Sequence, residues 1–180
     1  FKRGDIMKKL TTKVQVLYAL GVSYAIVDQI FAQWILYFYL PSANSSLKPF
    51  MAPILVSIAL AVSRFVDMIT DPLVGFLSDK YNSKYGRRIP FIAVGTIPLV
   101  LVTIAFFYPP MSNEKASFYY LMIVGSLFFT FYTIVGAPYN ALIPEIGRTP
   151  EERLNLSTWQ SVFRLSYTAI AIIFPGILIK

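Results

Sequence analysis

The sequence predicts an all-α membrane protein with five transmembrane helices. Two features of composition and one of arrangement lead there. Hydrophobic residues make up 56% of the chain and charged residues only 14%, where a soluble domain carries about 25% charged residues. Mean hydropathy is +0.61, and the apolar residues gather into long runs rather than short periodic stripes. The basic residues, for their part, cluster in patches that alternate with those runs, which is a topology signal rather than a nucleic-acid footprint despite the net charge of +7. Cysteine and histidine are both absent. That excludes disulfides and thiolate metal sites and removes the commonest general base, so an enzyme is not expected.

Five spans follow in order: 14–40, 50–78, 89–108, 116–142 and 154–179. Each reaches the ~20 residues needed to cross ~30 Å of hydrocarbon. The connectors "PSANSSLKP" (41–49), "DKYNSKYGRRIP" (79–90), "PPMSNEK" (109–115) and "PEIGRTPEER" (144–153) carry turn chemistry. The first run is too long for a signal-peptide core and no small-residue cleavage site follows it. "MKKLTTKV" from Met7 reads as a bacterial start, with "FKRGDI" as tag or upstream sequence.

Orientation follows from the positive-inside rule. Lys2, Arg3, Lys8, Lys9 and Lys13 precede the first span; Lys80, Lys84, Arg87 and Arg88 lie between the second and third; Arg148 and Arg153 lie between the fourth and fifth. The opposite side has only Lys48, Lys115 and Lys180. The tail 1–13 is therefore expected in the cytoplasm, and the bundle 14–180 in a bacterial inner membrane. An odd number of spans, with the chain ending directly after the fifth, suggests part of something longer.

Five ionisable residues fall inside the spans: Asp28, Arg64, Asp67, Asp71 and Arg164. Each costs ~3 kcal/mol on insertion scales. At 100° per residue, Arg64, Asp67 and Asp71 lie within about 60° of one another, on a single helical face. Pro72 removes the hydrogen bond that Met68 C=O would accept and biases Asp71 away from helical geometry, so a kinked turn is expected there. A free carbonyl beside two carboxylates suits a small hard cation, and broken helices hold coupling ions in transporters. Mutual repulsion of the carboxylates allows a proton as the alternative occupant. The plainer reading is an internal Arg64–Asp67 ion pair that holds helices together. Asp28, with Gln29 beside it and Gln33 a turn away, forms a polar patch expected to line a cavity.

"GFLSDKYNSKYGRR" supplies Gly75, Asp79, Lys80, Gly86, Arg87 and Arg88. It resembles the cytoplasmic signature of the major facilitator superfamily, here stretched between its acidic and basic halves. The longer "RFVDMITDPLVGFLSDKYNSKYGRRIPFIAVG" is similar to the second-helix motif of the glycoside–pentoside–hexuronide:cation symporters, the melibiose permease-like family. "FYTIVGAPYNALIPEI" (131–146), "EERLNLSTWQSVFR" (151–164) and "LTTKVQVLYALG" resemble that family's fourth helix, fifth-helix start and N-terminus. The resemblance runs through nearly the whole chain in order.

The resemblance implies a bundle of the twelve-helix major facilitator fold, with this chain as most of the six-helix N-terminal half. It implies that Asp67 and Asp71 bind the coupling cation, Na+ or H+, with Thr133 contributing a hydroxyl. It implies that Gly75, Asp79, Lys80, Gly86, Arg87 and Arg88 form a cytoplasmic latch, with the helix end closing tightly on Gly75. The family's sugar-binding positions are altered: the fourth-helix aspartate is Gly136, the first-helix aspartate falls on Ala25 or Ile26, a neighbouring aromatic is Asn140 and a fifth-helix arginine is Gln160. Asp28 and Arg164 stand one turn from two of these positions. Thr133, Gly136 and Asn140 share a helical face, with Pro138 expected to kink the helix between them.

The expected function is a cation-coupled secondary transporter of a sugar or related small organic solute, working by alternating access. Substrate is expected at Asp28, Gln29, Asn140, Gln160 and Arg164. A lysolipid-type transporter of the same family is one alternative; a non-transporting membrane interaction subunit is another. No cofactor beyond the coupling ion is implied. The expected partners are the small-molecule substrate, membrane lipid and the remaining half of the transporter, and no nucleic acid. Trp159 reads as an interfacial anchor and the tyrosines of the first span as lining or belt residues.

Overall fold

A computed structural model of the chain describes residues 10–41, 49–110 and 113–178. Of the charge pattern, Lys2, Arg3, Lys8, Lys9, Lys48 and Lys180 lie outside the described residues, as does the start at Met7. Among the described residues every regular element is helical. We label them α1 (Thr12–Tyr39), α2 (Pro53–Lys80), α3 (Ile89–Ala105), α4 (Glu114–Asn140), α5 (Ile143–Ile146) and α6 (Pro150–Leu178).

Four segments are long and apolar enough to cross a membrane: α1, α2, α4 with its short continuation α5, and α6. At 28 residues α2 extends ~42 Å. The third span is shorter than the sequence suggests. α3 has 17 residues, at the lower limit of about 17 for a crossing helix. Ahead of Pro109 and Pro110 the chain tightens: Phe107 N donates to Ile104 O at 3.1 Å and Tyr108 N to Ala105 O at 3.0 Å. These three-residue turns end the α-helix before its apolar run ends.

The fifth span begins earlier than its apolar run. Thr149 and Glu152 form a capping box: Glu152 N donates to Thr149 Oγ1 at 3.2 Å, and Thr149 N to Glu152 Oε2 at 3.4 Å. Pro150 at the first helical position completes the start. The helix is not interrupted at Pro72. α2 continues through it, with Asp71 helical, because the proline forfeits one hydrogen bond while the rest of a 28-residue ladder persists. Pro138 likewise lies within α4. α1 carries irregularities instead, a 3₁₀ turn at Gly21–Tyr24 and a π-helical stretch at Ile30–Ile35.

The chain divides into two compact units. In the unit of residues 1–26 and 141–180, the first half of α1 packs along α6. Buried Gln15 donates its Nε2 to Leu10 O at 3.2 Å. Glu152 Oε1 accepts from Leu10 N at 2.9 Å, and the Tyr167 hydroxyl donates to Leu20 O at 3.2 Å.

In the unit of residues 27–140, α4 is the central element, packed against α2 and α3. An aromatic cluster fills one end of its core. Phe31 stacks on Phe128 at 5.0 Å and meets Phe129 edge-on at 4.9 Å, with Phe106 5.5 Å from Phe128. The buried Tyr39 hydroxyl donates to Phe106 O at 3.1 Å.

Many large apolar side chains on the outer faces are exposed, among them Leu17, Ile54, Val94, Ile97, Leu165 and Ile177. Such a surface is unfavourable in water and favourable in hydrocarbon. Together with the four spanning-length helices it makes the chain an integral membrane protein.

Candidate functional site

α2 and α4 run parallel with a constant offset. Ala52 N donates to Glu114 Oε1 at 2.6 Å, Ser63 faces Gly125, and Thr133 reaches Asp71; each pair is 62 positions apart in sequence. Equal advance along two helices is what parallel packing of regular helices requires, since both rise ~1.5 Å per residue.

That register brings Thr133 to the carboxylate face of α2. Asp67 and Asp71 are one helical turn apart, so their side chains lie on the same side. The Thr133 hydroxyl lies 2.9 Å from Asp67 Oδ1 and 2.7 Å from Asp71 Oδ1. Thr133 itself is buried, Asp67 half-buried and Asp71 exposed. A hydroxyl has one hydrogen to donate. With both carboxyls ionised it satisfies one oxygen fully, and the other short contact needs a further proton or a cation.

Arg64 completes the constellation. Its guanidinium lies 3.5 Å from Asp67 Oδ2 and sits over the Phe129 ring at 4.0 Å from the centroid. The plain reading of Arg64 as an ion-pair partner of Asp67 is thus part of the geometry. Asp71 has no cationic partner among the described residues. Two carboxylates and one guanidinium leave one negative charge, which a single monovalent cation or proton balances. The oxygen donors are hard ligands, as such an ion prefers. No group of three or more acidic, histidine or cysteine side chains is found among the described residues.

The other predicted residues are more scattered. Asp28 and Gln29 are half-buried in α1, in the short α-helical turn between the 3₁₀ and π stretches. Asn140 is exposed at the last position of α4. Gln160, half-buried, and Arg164, exposed, lie on α6 in the other unit. Trp159 is half-buried, with its ring 6.4 Å from Phe163. Gly136 and Pro138 are buried in α4.

At the Lys80 end of α2, Arg88 Nη2 pairs with Asp79 Oδ1 at 2.8 Å. Lys80 lies over the Phe76 ring at 4.1 Å, and Arg87 is exposed. Gly86 has φ 94°, a left-handed conformation that glycine adopts without penalty. It closes a turn in which Gly86 N donates to Ser83 O at 3.0 Å and Ser83 Oγ to Gly86 O at 2.8 Å. Gly75 is half-buried within α2, and a Cβ there would meet nothing within 4 Å among the described residues.

Sequence reasoning missed three neighbours of the site: Ser63, Gly125 and the Phe129 ring beneath Arg64. Small residues inside apolar spans mark close helix contacts, so Gly125 in "MIVGSLFF" was the available signal.

Fold and site define an integral membrane helix bundle with a carboxylate pair and a hydroxyl meeting midway along a spanning helix. The chain belongs to the MFS/sugar transport protein family, whose sequence model matches residues 17–180. It is 33% identical over 155 residues to the putative glycoside/cation symporter YagG of Escherichia coli, covering 86% of this chain and 32% of that protein. An uncharacterized symporter of Synechocystis is 32% identical over 120 residues, covering 63% and 22%. The sodium-dependent lysophosphatidylcholine symporter 1-A of Danio rerio is 29% identical over 178 residues, covering 97% and 32%. The chain thus spans between 22% and 32% of the length of these relatives.

Proposed function

We propose that this bundle is the N-terminal part of a cation-coupled symporter for a sugar or related small organic solute. Asp67, Asp71 and Thr133 hold the coupling ion, Na+ or H+. The observation that carries the reading is the single Thr133 hydroxyl within 2.9 Å of two carboxylates. A permanently unfilled site of that kind would repel itself in hydrocarbon, whereas one that fills and empties couples ion entry to conformation. The symporter names of the relatives support the same assignment.

Asp28, Gln29 and Asn140 in one unit, and Gln160 and Arg164 in the other, are each proposed to contact substrate, and the remaining half of the transporter supplies further contacts. The N-terminus faces the cytoplasm of a bacterial cell, across its inner membrane, as the distribution of Lys and Arg supports. The 79–88 connector then lies on the cytoplasmic side and latches the closed state.

The test is uptake of a glycoside panel into proteoliposomes by the full-length transporter, under imposed Na+ or pH gradients. Wild type is expected to accumulate a substrate with one of the two ions. Asp67→Asn and Asp71→Asn are expected to lose that dependence; full cation dependence in both overturns the assignment. Lysophosphatidylcholine belongs in the panel, because the lysolipid symporter relative aligns over 97% of this chain and the sugar-carrier aspartate position is Gly136.

A further inference from the structure

The register between α2 and α4 rests on a contact one turn from Asp67 and two from Asp71. Ser63 has no exposed surface, and its Oγ donates to Ala59 O at 2.9 Å, with Met122 O of α4 at 3.3 Å as a shared acceptor. Gly125 lies directly opposite. A Cβ added there would collide with Ser63 Oγ and come within 3.1 Å of Ser63 Cβ. The two backbones therefore approach as closely as they do because one side of the seam is glycine and the other is serine.

Two turns on, the same faces carry the site. Asp67 and Asp71 follow Ser63 at one and two turns, and Thr133 follows Gly125 at two. On the other side of α4, Gly95 of α3 admits Ile134 and Val135, whose Cγ2 atoms would lie 2.7 and 2.9 Å from a Cβ at Gly95. The Thr133 segment is held from both flanks by glycine contacts.

We infer that Ser63 and Gly125 are positioning residues that set the bite of the cation site: their contact fixes the α2–α4 spacing at which one hydroxyl reaches both carboxylates. This rests on the cation-site reading above and extends it to a selectivity element. An ion site must be held within ~0.5 Å of its working geometry, and a methyl wedged into the seam presses on Ser63 Oγ and on Ser63 Cβ at 3.1 Å, spreading α2 from α4 on that scale. The effect falls on ion size and affinity.

The test is carbodiimide labelling of Asp67 and Asp71 in the full-length transporter, read by peptide mass spectrometry. The probes are Na+ alone, Li+ alone, and pH. Wild type is expected to be protected at a defined Na+ or Li+ concentration, or to label with a defined pH midpoint. Gly125→Ala is expected to shift the half-protecting concentration about 10-fold or more, or the midpoint correspondingly, and to alter the Na+ to Li+ ratio where Na+ binds. Ser63→Thr, a milder wedge, shifts the same way by less. The double variant Ser63→Gly with Gly125→Ala moves the methyl across the seam and is expected to return both readouts toward wild type. A general loss of folding changes the labelled fraction but not the ratio or midpoint.

If Gly125→Ala and Ser63→Thr behave as wild type while Asp67→Asn and Asp71→Asn lose protection, the positioning role is overturned and the cation site stands. A double variant no better than Gly125→Ala also overturns the positioning role. If neither Na+ nor Li+ protects either aspartate of wild type at any concentration, and both label across pH as ordinary exposed carboxyls do, the cation-site reading itself falls.

Discussion

Thr133 Oγ1 lies 2.7 Å from Asp71 Oδ1 and 2.9 Å from Asp67 Oδ1, so one hydrogen faces two carboxylates. Removing the hydroxyl takes away the donor and, in the proposed cation site, a neutral oxygen ligand. Thr133→Ala is expected to weaken coupling-ion affinity by about 10- to 100-fold. Thr133→Ser keeps the oxygen and is expected to stay near wild type. Ion titration of the labelling midpoint in both variants checks this, and equal affinity in Thr133→Ala would show that the hydroxyl is no ligand.

The Arg64 guanidinium bridges Asp67 and the Phe129 face, and it sets the charge of the site. Arg64→Gln leaves two negative charges in place of one. Divalent cations such as Ca²⁺ are then expected to compete for the pair, where in wild type they have little effect. Competition by Ca²⁺ against Na⁺, measured in both proteins, decides it. An Arg64→Gln variant indifferent to Ca²⁺ would place Arg64 outside the charge balance.

The sequence makes the α2 half of this site legible and leaves the α4 half to resemblance, for a physical reason. Charges are costly in hydrocarbon, so Asp67 and Asp71 stand out, and their spacing alone puts them on one face. Threonine is cheap there, so Thr133 is identified only through the family motif. Gly125 looks like part of an ordinary apolar run until its partner Ser63 is seen, because a helix–helix register is a property of two segments at once. The 3₁₀ and π stretches of α1 were not legible either: residues 30–35, "IFAQWI", contain neither proline nor glycine to announce a change of helix type. The opposite error occurred at Asp71, where the bias that Pro72 imposes against helical geometry is overridden by the continuity of α2.

Tyr39 is fully buried, and its hydroxyl donates to Phe106 O across 67 positions of sequence. The bond ties the end of α1 to the turn that follows α3. Tyr39→Phe removes the donor, adds no bulk and leaves a buried carbonyl short of one partner. A loss of about 0.5–1.5 kcal/mol is expected, read as a lower thermal midpoint of the purified protein. Because the substitution lies away from the carboxylates, ion selectivity is expected to be unchanged.

Asp79 and Arg88 form the other charged device, and its stability contribution is small by construction. The Asp79 side chain is 59% exposed and Arg88 12%, and pairs with an exposed partner contribute about 0–1 kcal/mol and weaken with salt. A pair that adds so little to folding is suited to being broken and remade. Asp79→Asn is therefore expected to leave the thermal midpoint nearly unchanged while lowering the uptake rate. Asp79→Glu, which keeps the charge, is expected to recover most of it. Uptake rate and thermal midpoint measured on the same preparations separate the two effects. A variant that loses stability and rate in proportion would make the pair a structural tie rather than a latch.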